Sequence, residues 1–100
     1  MTLPQAFYTT PIAHRGFHHG GAGRPENSFA AFQAAIERGY GIELDVQLSR
    51  DGVALVFHDY ALDRLTGQTG AIRQRDADDL CQITLTGGSD TIPTLPQVLA

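Results

Sequence analysis

The sequence lacks the features that mark several classes of protein. It has a single cysteine, Cys81, so it cannot form an internal disulfide and lacks the framework of small disulfide-rich secreted domains. Lysine and arginine number only seven, with no basic run and a formal net charge of −4, which argues against a nucleic-acid partner. Residues 1–10 resemble no signal peptide, and no apolar run reaches membrane-spanning length. We therefore expect a cytoplasmic protein without stable membrane insertion.

What is present is typical of a globular domain. Apolar residues make up 42% of the chain and charged residues 18%, a composition that does not favour disorder. Residues 94–97 match a capping box, with Thr94 at the cap and Gln97 three residues later. A helix should begin there and continue to the last residue, Ala100. We therefore predict that residues 1–100 are the N-terminal part of one incomplete domain.

The first half of the chain has the pattern of a strand–helix–strand unit. Residues 11–13 predict a short buried strand, and a helix should follow the cap formed by Asn27 or Ser28. A strand, a helix and a second strand in this order indicate an α/β fold with parallel pairing. A further short helix is expected within residues 76–83. The first helix should pack through three apolar residues on one face, Phe29, Phe32 and Ile36.

Two carboxylates on the second strand are the sharpest chemical feature. Residues 41–48 alternate between apolar and polar side chains, which places Glu43 and Asp45 on one face, with Cα atoms about 6.5–7 Å apart. Such a pair can converge on one cation, and oxygen ligands favour Mg²⁺ or Ca²⁺. The alternative is the solvent-exposed polar face of an antiparallel strand.

His58 follows a third strand, residues 53–57, and its position depends on the length of the connecting loop. A two-residue loop sets His58 opposite Asp45, and a four-residue loop sets it opposite Glu43, so both loops place it on the carboxylate face. A three-residue loop would send it to the other face. We expect the shared face, where His58 could act as a general acid or base. The alternative is a histidine that only ends a strand beside Asp59.

The end of the first strand carries a second polar cluster. His14 and Arg15 lie where ligands bind in parallel α/β folds, and Arg15 suits an anionic oxygen. Asn27 is explained by capping of the following helix. Asp59 fits two roles equally well, either orienting His58 or lying on the ordinary surface.

The sequence contains four motifs in order, which are His14-Arg15, Glu26-Asn27, Glu43-Leu44-Asp45 and His58-Asp59. Together they resemble the glycerophosphodiester phosphodiesterase family. The likeness extends over nearly the whole chain, from about residue 11 to residue 100, and includes the segments 62–64 and 92–95.

The resemblance implies the N-terminal portion of a (β/α)8 TIM-type barrel, with the first strands and, in residues 60–90, the start of the family's small insertion. It implies metal-dependent hydrolysis of glycerophosphodiesters to glycerol 3-phosphate and an alcohol, with a divalent cation, Mg²⁺ or Ca²⁺, as cofactor. The implied roles are an acid–base pair (His14 and His58), metal ligands (Glu43 and Asp45), residues lining the phosphate and metal site (Arg15 and Glu26) and supporting residues behind them (Asn27 and Asp59).

Other functions stay open within the same resemblance. Related barrels act as phospholipase-D-like enzymes or on lysophospholipids and sphingomyelin, and residues 1–100 alone could be an inactive fragment. The family's third acidic metal ligand comes from a later strand, and these residues contain no candidate for it. The sequence fixes neither the preferred head group, nor which histidine is the acid, nor the oligomeric state.

Overall fold

A computed structural model of the protein describes residues 2–100. Met1, the first residue of the segment in which we expected no signal peptide, lies outside them. In chain order the elements are α1 (Ala6–Thr9), β1 (Ile12–His14), α2 (Phe29–Glu37), β2 (Gly41–Glu43), β3 (Val46–Leu48), β4 (Ala54–Val56), α3 (Ala77–Leu80) and α4 (Leu95–Leu99). Helices and strands alternate as far as β2, a β-hairpin follows, and short helices and turns form the chain after residue 56.

The predicted strand–helix–strand unit is confirmed. β1 pairs with β2 in parallel, and α2 forms the connection between them. The Ser28 side chain caps α2 by accepting a hydrogen bond from the Ala31 N–H, so Ser28 and not Asn27 is the cap. The expectation that β1 is buried was wrong for most of its length, since only Ala13 is buried. The predicted later helices are also present, as α3 and as α4 with its capping box.

The packing face of α2 differs from the predicted one. Phe32 is buried, but Phe29 is 42% and Ile36 is 61% exposed. The buried face consists of Phe32 together with small residues, because the loop after β1 comes very close to the helix. At Gly16 (φ +77°) an added Cβ would lie 2.8 Å from the Ala31 Cβ. Alanines therefore face the protein, at Ala31, Ala34 and Ala35.

The single strand predicted for residues 41–48 is two strands. β2 pairs with β1, whereas β3 pairs with β4 in an antiparallel hairpin, and residues 44–45 lie between them. The chain changes its pairing partner at this point, so strict alternation does not carry through it. Asp45 therefore lies at the junction of two sheets rather than within one strand, although its carbonyl still accepts a hydrogen bond from the Phe57 N–H at 2.9 Å.

The hairpin between β3 and β4 has the register that we did not expect. The Ser49 N–H donates to the Val53 carbonyl at 2.9 Å, which leaves a three-residue loop, residues 50–52. A turn followed by a glycine with positive φ, here Gly52 (φ +81°), is the usual form of such a loop. Extending the pair Val46–Val56 by two residues sets His58 opposite Leu44. The prediction that a two- or four-residue loop places His58 on the carboxylate face was wrong.

His58 nevertheless leaves the sheet before this register can fix its side chain, since β4 ends at Val56.

The main core is built from β4 and from the segment that follows it. The core cluster contains Leu55, Phe57, Leu62, Ile72, Ala77, Leu80, Ile83, Leu85 and Ile92. None of the helices in residues 2–100 is long and apolar enough to span a bilayer.

Candidate active site

The parallel pairing of β1 and β2 brings the first two candidate residues together. The register sets His14 beside Glu43, and the His14 Nε2 lies 3.9 Å from the Glu43 Oε1. The His14 side chain is 68% exposed. Its imidazole therefore faces solvent at the carboxyl end of β1, with a carboxylate beside it.

Arg15 is the point at which three carboxylates meet. Its backbone N–H donates to the Glu43 Oε1 at 3.2 Å, and its Nη1 donates to the Glu26 Oε2 at 3.0 Å. Its Nε is buried without a hydrogen-bond partner and lies 3.6 Å from the Asp45 Oδ2. The two proposed metal ligands, Glu43 and Asp45, therefore flank the same arginine, even though they do not share one continuous strand.

Asn27 is held in an unusual conformation beside Asp45. Its φ is +56° and that of Arg15 is +58°, a region that residues other than glycine seldom occupy. The Asn27 N–H donates to the Arg15 carbonyl at 2.9 Å, and its Nδ2 donates to the Asp45 Oδ2 at 3.2 Å. Strained backbone of this kind persists where surrounding contacts impose it, often at functional sites. Asn27 thus positions Asp45 rather than serving as the helix cap.

His58 is held by the residue next to it. The His58 Nδ1 lies 2.7 Å from the Asp59 Oδ1, and the Gln47 Nε2 donates to the His58 carbonyl at 2.8 Å. Hydrogen bonds from Arg64 and then from His58 lower the pKa of Asp59 to about 2. Across residues 2–100, His58 makes no hydrogen bond or ion pair with Glu43 or Asp45. The sequence left two roles open for Asp59, orienting His58 or lying on the ordinary surface. In the structure Asp59 contacts His58.

Arg64 completes the cluster, and the sequence analysis gave it no role. Its guanidinium donates to both oxygens of Glu26 at 2.9 and 3.1 Å and to both oxygens of Asp59 at 2.9 and 3.0 Å. Burial alone raises the pKa of Glu26, but the hydrogen bonds and charge of Arg64, with those of Arg15, lower it below its ordinary value. The likeness of residues 62–64 to the family was the only signal in the sequence that could have drawn attention to Arg64.

The residues beside Arg15 fit a hard cation in part. Glu43 and Asp45 offer carboxylate oxygens, and the Asn27 Oδ1 is buried without a hydrogen-bond partner. Buried polar atoms in proteins normally have a hydrogen-bond partner or a bound ion. A cation bound by oxygen ligands would suit the Asn27 Oδ1. Among the described residues, no group of three or more His, Cys, Asp or Glu side chains is placed to hold a metal ion. The residues beside Arg15 thus include two carboxylates and one unpartnered amide oxygen of the type that a hard cation would require.

The candidate residues form one connected polar surface. Ion pairs and hydrogen bonds lead from His14 through the residues around Arg15 to His58, in the order His14, Glu43, Arg15, Glu26, Arg64, Asp59 and His58. The two histidines therefore lie at the two ends of this series of contacts, with two arginines and four carboxylates around or between them, the carboxylates being Glu43, Glu26, Asp59 and, beside Arg15, Asp45.

Comparison with known proteins agrees with this chemistry. The sequence profile of the glycerophosphoryl diester phosphodiesterase family matches residues 14–100. A glycerophosphodiester phosphodiesterase of Bacillus altitudinis is 39% identical over 98 residues, which are 91% of this chain and 39% of that protein. A probable glycerophosphodiester phosphodiesterase 2 of Mycobacterium tuberculosis is 42% identical over 89 residues, 88% of this chain and 33% of that protein.

Solved structures of a glycerophosphodiester phosphodiesterase and a related phosphodiesterase superpose on this chain. A glycerophosphodiester phosphodiesterase from Agrobacterium tumefaciens superposes with a TM-score of 0.80 at 35% identity, over 91% of this chain and 41% of that one. An Oleispira antarctica phosphodiesterase, solved with the product sn-glycerol-3-phosphate, superposes with a TM-score of 0.76 at 35% identity, over 90% and 38%. The chain thus spans between a third and about two fifths of the length of these relatives. The predicted fold, the N-terminal portion of a TIM-type barrel, is confirmed.

Proposed function

Because the chain belongs to the glycerophosphoryl diester phosphodiesterase family, we propose that the whole protein hydrolyses glycerophosphodiesters to glycerol 3-phosphate and an alcohol, with a divalent cation as cofactor. The observation that carries this proposal is the connected polar surface, in which Arg15 lies between the carboxylates of Glu26, Glu43 and Asp45. The product named in the Oleispira structure is the one that this reaction would release.

His58 is suited to proton transfer because its neighbour fixes one nitrogen. Asp59, with a pKa of about 2, is ionised at neutral pH and can only accept a hydrogen bond. The His58 Nδ1, 2.7 Å from Asp59, must therefore carry the proton. In the neutral imidazole this leaves the lone pair on Nε2, which is free to take a proton from a nucleophile.

Arg15 is the residue that we assign to the substrate phosphate. Glu26 holds its Nη1, and no hydrogen bond to Nη2 occurs within residues 2–100. A guanidinium anchored at one nitrogen and open at the other can donate to a phosphate oxygen. Both Glu26 oxygens already accept hydrogen bonds from arginines, so Glu26 contributes to the phosphate site by anchoring Arg15.

Glu43, Asp45 and the Asn27 Oδ1 are the atoms of this chain that would hold the cation. When bound, Mg²⁺ or Ca²⁺ would supply Lewis-acid stabilisation of charge on phosphate oxygens. The part spanned here has only two acidic ligands, and the family resemblance places the third on a later strand. Activity is therefore proposed for the whole protein and not for residues 1–100 alone.

The reaction breaks the bond between phosphorus and the alcohol oxygen and forms a new bond from phosphorus to the nucleophile, which is water or the substrate's own glycerol hydroxyl. Attack by water would give glycerol 3-phosphate directly. Attack by the glycerol hydroxyl would give a cyclic glycerophosphate, and water would then open the ring in a second step to give glycerol 3-phosphate. One histidine of the pair His14 and His58 accepts the proton of the nucleophile. The other donates a proton to the departing alkoxide, so that protons balance over the step. Arg15 orients the phosphate between the two histidines.

Product analysis tests this proposal. The whole protein is incubated with glycerophosphocholine in the presence of Mg²⁺ or Ca²⁺, and the products are separated. Glycerol 3-phosphate and choline are expected. Parallel incubations with lysophosphatidylcholine and sphingomyelin test the alternative substrates, and cleavage of those lipids with no cleavage of glycerophosphocholine would contradict the proposal.

A further inference from the structure

Arg64 occupies a central position between the two halves of the polar surface. It donates four hydrogen bonds, two to Glu26 and two to Asp59, at distances from 2.9 to 3.1 Å. The Glu26 side chain is only 8% exposed, whereas Arg64 itself is 49% exposed. A buried carboxylate thus anchors one side of the guanidinium, and the other side is directed at the residue that contacts His58.

These contacts leave Arg64 almost no capacity for a ligand. A guanidinium has few N–H groups, and the four hydrogen bonds use all but one of them. Arg15 differs, since only its Nη1 donates to a carboxylate within hydrogen-bond distance. Arg15 therefore has more free N–H groups for an anion than Arg64, which has one.

The geometry of Asp59 follows from that of Arg64. The fork of Arg64 donates to both Asp59 oxygens, from Nε at 2.9 Å and from Nη2 at 3.0 Å, so the carboxylate cannot rotate without losing a hydrogen bond. The same Oδ1 that accepts from Arg64 faces the His58 Nδ1 at 2.7 Å. Arg64 thus acts on the imidazole only through Asp59, by a planar, bidentate contact that a lysine cannot reproduce.

Resting on the function proposed above, we propose that Arg64 is a positioning residue that clamps Asp59 against Glu26 and thereby holds His58 with its proton on Nδ1 and its Nε2 open to the substrate. Arg64 touches neither the phosphate nor the cation in this arrangement. Its loss should therefore affect turnover and the protonation pattern of His58 more than substrate affinity.

The test compares three variants of the whole protein. Arg64→Gln removes the charge and the fork, and Arg64→Lys keeps the charge without the fork. The matched control is Arg50→Gln, because Arg50 also makes a bidentate pair with a carboxylate, Asp76, at 2.9 and 2.8 Å but lies outside the polar surface. The readouts are kcat and KM for glycerophosphocholine, the nitrogen chemical shifts of His58, and thermal unfolding.

Loss of the residue that orients a metal-bound histidine typically lowers metal affinity or activity about 10–100-fold, and we expect an effect of similar size for the orientation of His58. We expect a fall of that size in kcat for Arg64→Gln, a smaller change in KM, and His58 nitrogen shifts that indicate a mixture of tautomers. Arg64→Lys should give an intermediate kcat, and Arg50→Gln should match the wild type. A kcat for Arg64→Gln equal to that of Arg50→Gln, or unchanged His58 shifts, would overturn the proposal.

Two further outcomes are also decisive. If Arg64→Gln does not fold, the test rests on Arg64→Lys. A wild-type kcat and wild-type His58 nitrogen shifts in Arg64→Lys would contradict the proposal that the planar guanidinium of Arg64 positions His58. If the wild-type protein hydrolyses no glycerophosphodiester, the proposed function fails, whereas the nitrogen shifts of His58 in the variants still show whether Arg64 positions it.

Discussion

The two histidines of the polar surface differ in how firmly they are held. His14 is 68% exposed, and its nearest charged partner is the Glu43 Oε1 at 3.9 Å. His58 is 42% exposed and lies 2.7 Å from Asp59, which Arg64 holds in turn. Within the part of the chain described, His58 lies within hydrogen-bond distance of a carboxylate, whereas no hydrogen bond to the His14 side chain occurs. If the two histidines act as the proposed pair, this difference predicts that His58 is the pre-organised member.

The largest expected effect comes from removing either histidine. His58→Ala and His14→Ala should each lower kcat/KM for glycerophosphocholine about 10²–10⁴-fold, the range typical of a lost general acid or base. His18→Ala is the control, since His18 is an exposed histidine on the nearby loop. Steady-state assays of the whole protein measure the effect. Full activity in His58→Ala would contradict the proposed role of His58, the more firmly held of the two histidines.

A backbone change in the loop after β1 should destabilise the fold. Gly16→Ala puts a Cβ 2.8 Å from the Ala31 Cβ and 2.9 Å from the Phe32 Cδ1, at a φ of +77°. Overpacking and left-handed strain together should lower the free energy of unfolding by about 2–4 kcal/mol. Gly20→Ala is the control, because an added Cβ there meets no atom within 4 Å. Equal denaturation midpoints for the two variants would contradict this packing.

Removing one proposed cation ligand should weaken cation binding. Asp45→Asn keeps the shape of the side chain but removes a carboxylate, and about a tenfold or greater loss of Mg²⁺ or Ca²⁺ affinity is expected. Calorimetric titration of the whole protein with the metal salt alone gives the dissociation constant. The matched control is Asp78→Asn, an exposed aspartate on α3. The same dissociation constant in both variants would remove Asp45 from the cation site.

The smallest expected effect is a change in the pKa of Asp59. Because its folded-state pKa, about 2, lies below the ordinary 3.8, its ion pairs stabilise the fold above pH 3.8 and lose that contribution as the pH falls toward 2. Arg64→Gln removes the main cause, so the pKa should rise back toward 3.8, and the loss of stability with falling pH should become smaller and end at a higher pH. The carboxyl ¹³C shift of Asp59 reports the titration. An unchanged pKa would show that Arg64 does not hold Asp59.

The sequence was informative wherever local chemistry decides the structure. The parallel strand–helix–strand unit, the Ser28 cap and the Thr94 capping box all follow from short patterns of residues, and all are present. The end of β1 carries His14 and Arg15 next to Glu43, as the motifs implied. Features of this kind need only neighbouring residues or one parallel pairing to be specified.

Two predictions, the register of the β3–β4 hairpin and the packing face of α2, were wrong. The loop between β3 and β4 has three residues and not two or four, which shifts His58 from Asp45 or Glu43 to Leu44 in register. The predicted packing face of α2 was wrong because Gly16 lies very close to the helix, and this close contact favours alanines over larger side chains. Both depend on tertiary geometry that residue spacing does not encode.

Arg64 was missed for a related reason. Its partner Glu26 lies 38 positions earlier in the chain, and nothing in the local pattern of residues 60–66 indicates that the two side chains meet. Long-range ion pairs of this kind become visible only when the segments are placed in space. The roles of the individual site residues, by contrast, stay predictions until activity is measured.

Chelation and restoration of the whole protein test the central claim most directly. The rate of glycerol 3-phosphate release from glycerophosphocholine is measured before and after treatment with EDTA, and again after addition of Mg²⁺ or Ca²⁺. The account predicts that activity is lost with EDTA and returns with one of the two ions, while Asp45→Asn requires more of that ion than Asp78→Asn does. Undiminished release of glycerol 3-phosphate in EDTA would contradict it.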